Sequence, residues 1–174
     1  MVNILEQIVV NQSQTWDKTL EKFPGKFLVK LDSVVLKELY EQKTLIHEEK
    51  VDDFLLLKES IINLKKQILL NGCGFFVLAG SSFKDFTVNE KKSIYIIISK
   101  ILGKLLKQNK KGELVVDVRD MGKTMSEGSR YHHTSEGNSY HTDGSHIYSD
   151  PPDYVGLLCI NSAKKGGESK FMSA

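Results

Sequence analysis

Apolar residues recur at alternating spacings of three and four in two stretches of the chain, a pattern typical of helices that bury one face. The stretches cover about residues 54–68 and 88–106, and we interpret both stripes as core packing. A shorter helix is predicted at residues 34–42. Asp52 or Asp53 is the predicted N-terminal cap of the first long helix. Thr87 and Glu90 have the spacing of a capping box and are predicted to begin the second.

Short apolar runs bounded by glycine, proline or polar residues indicate β-strands elsewhere in the chain. The predicted strands are residues 25–31, 74–78, 114–118, 154–160 and 169–172. Helices therefore dominate before about residue 110 and strands after it. This order predicts an α+β fold.

Between residues 120 and 153 the periodic apolar pattern is lost, and Gly, Ser, His, Thr and Asp dominate. This segment contains four of the five histidines in the chain. A polar segment of this length within a compact domain is either functional or disordered. This segment is therefore the strongest candidate to contain functional residues.

The composition is that of a globular protein, with 40% hydrophobic and 26% charged residues in a chain of 174, enough for one domain. A net charge of +2 gives no reason to expect nucleic acid or an anionic membrane as a partner. The N-terminus lacks the pattern of a signal peptide, and no apolar run is long enough to span a bilayer. We therefore expect a cytoplasmic location.

The sharpest local feature of the polar segment is His141, which is separated by one residue from Asp143. On an extended backbone, residues two apart point to the same side, so this imidazole and carboxylate can face one metal ion. They suit two corners of the 2-His-1-carboxylate triad of non-haem iron enzymes. Alone the spacing is weak evidence, and His132, His133 and His146 are rival ligands. The alternative is an unrelated metal-binding domain whose ligands are His132, His133, His141 and Asp143.

The residues around this pair resemble the taurine dioxygenase-like (TauD/TfdA, clavaminate synthase-like) family of Fe(II)- and 2-oxoglutarate-dependent oxygenases. The order and spacing of four blocks agree with that family, and residues 74–78 are similar to the strand that precedes its barrel. The resemblance covers residues 130–174, with weaker support from residue 70 onward, and so only the N-terminal half of such an enzyme. The four blocks are Tyr140–Asp143, Pro151–Tyr154, Val155–Ile160 and Gly166–Ser169.

The resemblance implies a fold and a domain organisation. The fold would be a partial double-stranded β-helix of the jelly-roll or cupin-like kind, with N-terminal flanking helices. Residues 1–174 would form a single, truncated oxygenase domain. Within it, residues 1–110 would supply the helical flank and first strands, and residues 111–174 the half of the barrel that holds the metal.

The resemblance also assigns roles to residues. His141 and Asp143 would bind Fe(II), and the hydroxyl of Ser169 would help to hold a carboxylate of 2-oxoglutarate. Asn138 is a candidate substrate contact, although a turn-forming asparagine is an equal alternative. Related halogenases have a small residue where Asp143 stands, so a hydroxylase or desaturase is favoured here. The partners implied are O2 and a small-molecule, amino-acid-like substrate.

Two functional groups of the family cannot be assigned in this chain. They are a downstream histidine as the third iron ligand and an arginine that pairs with 2-oxoglutarate. We therefore expect the lone chain to be inactive and poorly stable, as a fragment or as half of a split enzyme whose barrel a second chain completes. A non-catalytic pseudoenzyme or interaction module derived from the family is the alternative.

Overall fold

The computed structural model describes residues 14–120, 122, 124, 126, 139–143 and 151–173. The helices and strands are β1 (Leu28–Val29), α1 (Ser33–Glu41), α2 (Leu55–Leu64), β2 (Val77–Leu78) and α3 (Val88–Leu102). A π-helical turn, Lys65–Leu70, continues α2. Short 3-10 segments lie at Lys18–Lys22, Pro24–Lys26, Lys43–Glu48, Val51–Asp53 and Gly80–Phe83.

The three predicted helices are present, and their apolar stripes form the core. Helix α2 contacts both α1 and α3. Because every buried face points to the same cluster, burial rather than intrinsic propensity accounts for most of the stability of these short helices. The cluster consists of Leu31, Val35, Leu39, Ile46, Phe54, Leu57, Ile61, Phe86, Ile94, Ile97 and Ile98.

Helix α2 is capped by a residue of another helix. Phe54 occupies the N-cap position and makes no side-chain cap, so the predicted cap at Asp52 or Asp53 is wrong. Instead, the buried carboxylate of Glu38 in α1 accepts hydrogen bonds from the N–H groups of the second and third residues of α2, at 2.8 and 2.9 Å. A carboxylate at this place also complements the positive end of the helix dipole.

The end of α2 departs from α-helical geometry. The stripe predicts Ile68 as its last buried residue, but the π-helical turn carries an extra residue, and Leu69 is buried instead. Gly72 then lets the chain turn tightly, because a Cβ there would lie 2.8 Å from the carbonyl oxygen of Gln67. The predicted helix end at the glycines is confirmed.

Helix α3 begins with the predicted capping box. The N–H of Thr87 donates to the Glu90 carboxylate at 2.7 Å, and the N–H of Glu90 donates to the Thr87 hydroxyl at 3.3 Å. The helix ends at Leu102, earlier than predicted, with Gly103 as its C-cap. Glycine is a poor helix former, which explains why the apolar pattern continues further than the helix.

Strands β1 and β2 pair in parallel, with Leu28 opposite Val77. The N–H of Val77 donates to the carbonyl of Phe27, and that of Ala79 to the carbonyl of Val29, each at 2.8 Å. Two of the predicted strands are thus confirmed in shortened form.

The strands predicted at residues 114–118, 154–160 and 169–172 are absent from the described part of the chain. A strand exists only when its backbone groups join the ladder of a neighbour, which an apolar run alone does not provide. The α+β class is confirmed. A double-stranded β-helix is not displayed by the described residues, whose single sheet is β1–β2.

The chain divides into two compact units, Met1–Gly103 with Ser169–Ala174, and Lys104–Glu168. The first contains all the helices and strands described above. In the second, the carbonyl of Glu113 accepts the N–H of Gln108 at 2.7 Å and closes a turn, while Val155 and Leu157 are exposed. Within the described residues, every helix is too short or too polar to cross a membrane.

Candidate metal centre

His141 and Asp143 face each other in the second unit. The distance from His141 Nε2 to Asp143 Oδ1 is 3.3 Å, and the side chains are 49% and 52% exposed. Two donors bound at right angles to one metal ion, each about 2.1 Å from it, would lie about 3.0 Å apart. The pair is therefore already close to the separation that adjacent ligands of one ion require.

The second nitrogen of the imidazole is held by the backbone. Nδ1 of His141 lies 2.7 Å from the carbonyl oxygen of Ser139. A carbonyl oxygen only accepts, so Nδ1 carries the proton and Nε2 of the neutral ring presents its lone pair on the side of Asp143. Metal-binding histidines commonly donate their other N–H to a carbonyl in this way.

The same contacts favour the protonated ring when no metal competes for Nε2. The hydrogen bond to the Ser139 carbonyl raises the pKa of His141 above its usual 6.5. Burial opposes this rise, and the negative charge and hydrogen bond of Asp143 add smaller upward contributions. Proton and metal thus compete for one nitrogen atom.

The donors present fit a ferrous ion in kind, since an imidazole nitrogen and a carboxylate oxygen are two of the three ligand types in a facial triad. Within the described residues, no group of three His, Cys, Asp or Glu side chains is arranged to hold a metal. The rival ligands His132, His133 and His146 lie outside the described residues, as does Asn138.

Ser169 belongs to the first unit and is exposed. It follows Gly166 and Gly167, which have φ values of 75° and 79°. Residues with a side chain rarely adopt this conformation, so glycine is favoured at both positions. The structure thus brings His141 and Asp143 together and places Ser169 in the other unit.

One contributor to the centre was not predicted from the sequence. The orienting group is the backbone carbonyl of Ser139, and every residue type carries such a carbonyl. Only its position two residues before His141 hints at the contact.

The sequence of the chain is similar to those of known proteins. Residues 43–174 match the family model described as taurine catabolism dioxygenase TauD, TfdA family. The whole chain is also similar to FR-33289 synthase of Streptomyces rubellomurinus (strain ATCC 31215), with 28% identity over 184 aligned residues. No solved structure matches the chain.

The two matches differ in what they cover. The alignment with FR-33289 synthase includes 100% of this chain but 52% of the relative, so the chain spans about half the length of the curated relative that it matches. The family model, in contrast, matches well over half of the chain and includes His141, Asp143 and Ser169. The chain belongs to the TauD, TfdA family of dioxygenases.

Proposed function

We propose that the protein is an Fe(II)- and 2-oxoglutarate-dependent oxygenase in which His141 and Asp143 are two of the iron ligands. The observation that carries the proposal is the 3.3 Å approach of Nε2 to Oδ1, with Nδ1 occupied by a backbone carbonyl. This arrangement holds one nitrogen and one oxygen donor close enough to bind the same ion. Fe(II), when bound, supplies the redox chemistry that activates O2.

The family match supports a role for Ser169 in binding 2-oxoglutarate. A serine hydroxyl can donate one hydrogen bond to a carboxylate oxygen of 2-oxoglutarate without crowding it. Its exposure leaves the hydroxyl accessible to such a ligand. Asn138 is proposed as a substrate contact, because it precedes His141 by three residues in the same segment.

The type of reaction follows from the carboxylate of Asp143. A carboxylate occupies the metal position that a small residue would leave open to a halide, so hydroxylation or desaturation is proposed. The proposed substrate is a small amino-acid-like molecule, by analogy with the family and not from a contact in this chain.

A third protein ligand is needed for a complete facial triad. We propose that this histidine, and the arginine that pairs with 2-oxoglutarate, come from the part of the barrel that corresponds to the unmatched half of FR-33289 synthase. A second chain could supply it. The double-stranded β-helix would then be completed by strands that pair with residues 114–118 and 154–160. The lone chain is expected to turn over little 2-oxoglutarate.

Metal binding tests the assignment directly. Purified protein is titrated anaerobically with Fe(II), or with Co(II) as a coloured substitute, and the dissociation constant is measured. Replacing His141 or Asp143 by Ala is expected to weaken binding by about tenfold or more, because one of two donors is lost. His47→Ala, in the 3-10 segment Lys43–Glu48, serves as the matched control.

The same titration separates the alternatives. If His133→Ala weakens binding as strongly as His141→Ala, the unrelated metal-binding domain is favoured. If neither His141→Ala nor Asp143→Ala changes the affinity, the oxygenase proposal is wrong. Succinate formation from 2-oxoglutarate, measured on the lone chain, tests the expectation of inactivity: robust turnover contradicts it.

A further inference from the structure

Residues 169–173 form the C-terminal described segment of the first unit, and two side-chain contacts attach it to that unit. The ring of Phe171 stacks on Phe75, with centroids 5.5 Å apart and an interplanar angle of 12°. The hydroxyl of Ser173 donates to the carbonyl of Gln14 at 2.8 Å. Both contacts lie within four residues of Ser169 along the chain.

The surface that receives Phe171 is itself firmly anchored. Phe75 also contacts the rings of Trp16 and Phe27, at 5.4 and 5.2 Å. The indole N–H of Trp16 donates to the carbonyl of Cys73 at 2.9 Å. We call these four rings, Trp16, Phe27, Phe75 and Phe171, the aromatic cluster. Because Phe27 lies directly before β1 and Phe75 lies two residues before β2, the cluster ties residues 169–173 to the parallel sheet.

Gln14 strengthens the same attachment. Its side-chain amide donates to the carbonyls of Leu69 and Leu70 at 3.3 Å, at the end of the π-helical turn. Gln14, whose carbonyl accepts the hydrogen bond from the Ser173 hydroxyl, is therefore itself attached to the helical part of the unit. Residues 171 and 173 are thus fixed by independent contacts, one apolar and one polar.

We propose that Phe171 is a positioning residue for Ser169, acting through its stack on Phe75. The inference rests on the proposed function, in which the Ser169 hydroxyl binds 2-oxoglutarate. Two residues of extended chain span about 7 Å at most, so fixing Phe171 confines Ser169 to a small volume. A hydroxyl that is already confined loses less conformational freedom when the keto acid binds, and the affinity is higher.

The exposure of the ring fits this role. Phe171 is 58% exposed, so its contribution to the buried core is small. Its neighbour Met172 is also an exposed apolar residue, at 65%, and has no part in the aromatic cluster. Met172 therefore provides a matched control for the loss of an exposed apolar side chain from the same segment.

The test compares Phe171→Ala, Phe171→Tyr and Met172→Ala in the 174-residue chain. Two dissociation constants are measured anaerobically for each variant: that of Co(II) alone, and that of 2-oxoglutarate in the presence of saturating Co(II). Phe171→Ala is expected to raise the dissociation constant of 2-oxoglutarate about fivefold, the effect of one lost aromatic pair, and to leave that of Co(II) unchanged. Phe171→Tyr, which retains the ring, and Met172→Ala are expected to match the parent chain. Amide hydrogen exchange at residues 169–173 should be faster in Phe171→Ala alone.

Other results overturn the inference. An unchanged 2-oxoglutarate affinity in Phe171→Ala, or an equal loss in Met172→Ala, shows that the stack does not position Ser169. Parallel loss of Co(II) and 2-oxoglutarate binding shows a general structural role instead. If the parent chain binds Co(II) but not 2-oxoglutarate, Ser169 and the metal pair do not hold the keto acid without the proposed arginine. Hydrogen exchange then decides the positioning role alone, and equal rates at residues 169–173 in Phe171→Ala and the parent chain overturn it. That case is distinguishable because the defect is present before any substitution.

Discussion

At the scale of single residues, the orientation of the His141 ring follows from the contacts of its two nitrogen atoms. Nδ1 is committed to the Ser139 carbonyl, and Nε2 faces the Asp143 carboxylate. His141 and Asp143 could be proposed as a pair from the sequence, because side-chain chemistry and a spacing of two are visible in it. It could not identify Ser139, which acts through a backbone atom that all residues share.

Titration of His141 checks this geometry. In the metal-free chain, the pKa of His141 measured by NMR is expected to lie above the usual 6.5, because the Ser139 carbonyl and the Asp143 charge both stabilise the protonated ring. Asp143→Asn should lower that pKa. Asp117→Asn, which removes a carboxylate that pairs with Arg119 in the same unit, should leave it unchanged.

The affinity for metal is expected to depend on pH. Metal needs the unprotonated Nε2, so the affinity is highest above the raised pKa and decreases as the pH falls through it. A pKa at or below 6.5 in the metal-free chain would contradict the contacts described for the ring.

At the scale of elements, Glu38 joins two helices by capping one from the other. Its carboxylate binds two N–H groups at the start of α2, where Phe54 offers no cap. The helices themselves could be predicted from local periodicity. The cap could not, because the residue that supplies it lies 18 positions away from the nearer N–H that it accepts.

Removing this carboxylate is expected to destabilise the fold. Glu38→Ala leaves two N–H groups at the helix start without their acceptor, and the free energy of unfolding should decrease by about 2 kcal/mol. Denaturant unfolding measures the change. Glu41→Ala serves as the control: its exposed pair with Lys37 is worth at most about 0.5 kcal/mol. Equal effects of the two substitutions would show that the cap is not important.

The strands were less predictable than the helices for a physical reason. The hydrogen bonds of a helix are local, so an apolar stripe and a capping box are sufficient to place α3. A strand needs a partner, and the apolar run at residues 154–160 is not paired into a sheet in the described structure. The same run is where the family resemblance predicts part of a barrel.

At the scale of the whole molecule, the buried apolar core belongs to the first unit. Among the described residues, every buried apolar side chain lies between Leu20 and Ile98. The proposed metal ligands, His141 and Asp143, lie in the second unit, where residues such as Val155 and Leu157 are exposed. The buried core and the proposed metal ligands therefore belong to different parts of the chain.

A shortened chain tests this separation. Residues 1–103 alone are expected to unfold cooperatively, with a helical circular dichroism spectrum, because all three helices and the core cluster are retained. A chain that ends after Leu64 lacks α3 and should show no cooperative transition. Absence of a transition in residues 1–103 would mean that the second unit is needed to stabilise the first.

The π-helical turn at Lys65–Leu70 determines where the length of the chain can change. A turn of this kind holds one residue more than an α-helical turn, so deleting one residue within it would restore α-helical geometry and leave Leu69 on the buried face. Deleting one residue within Leu55–Leu64 instead would rotate everything downstream by about 100° around the helix axis. The loss of a single codon is therefore expected to be tolerated in this turn and to be costly in the helix that precedes it.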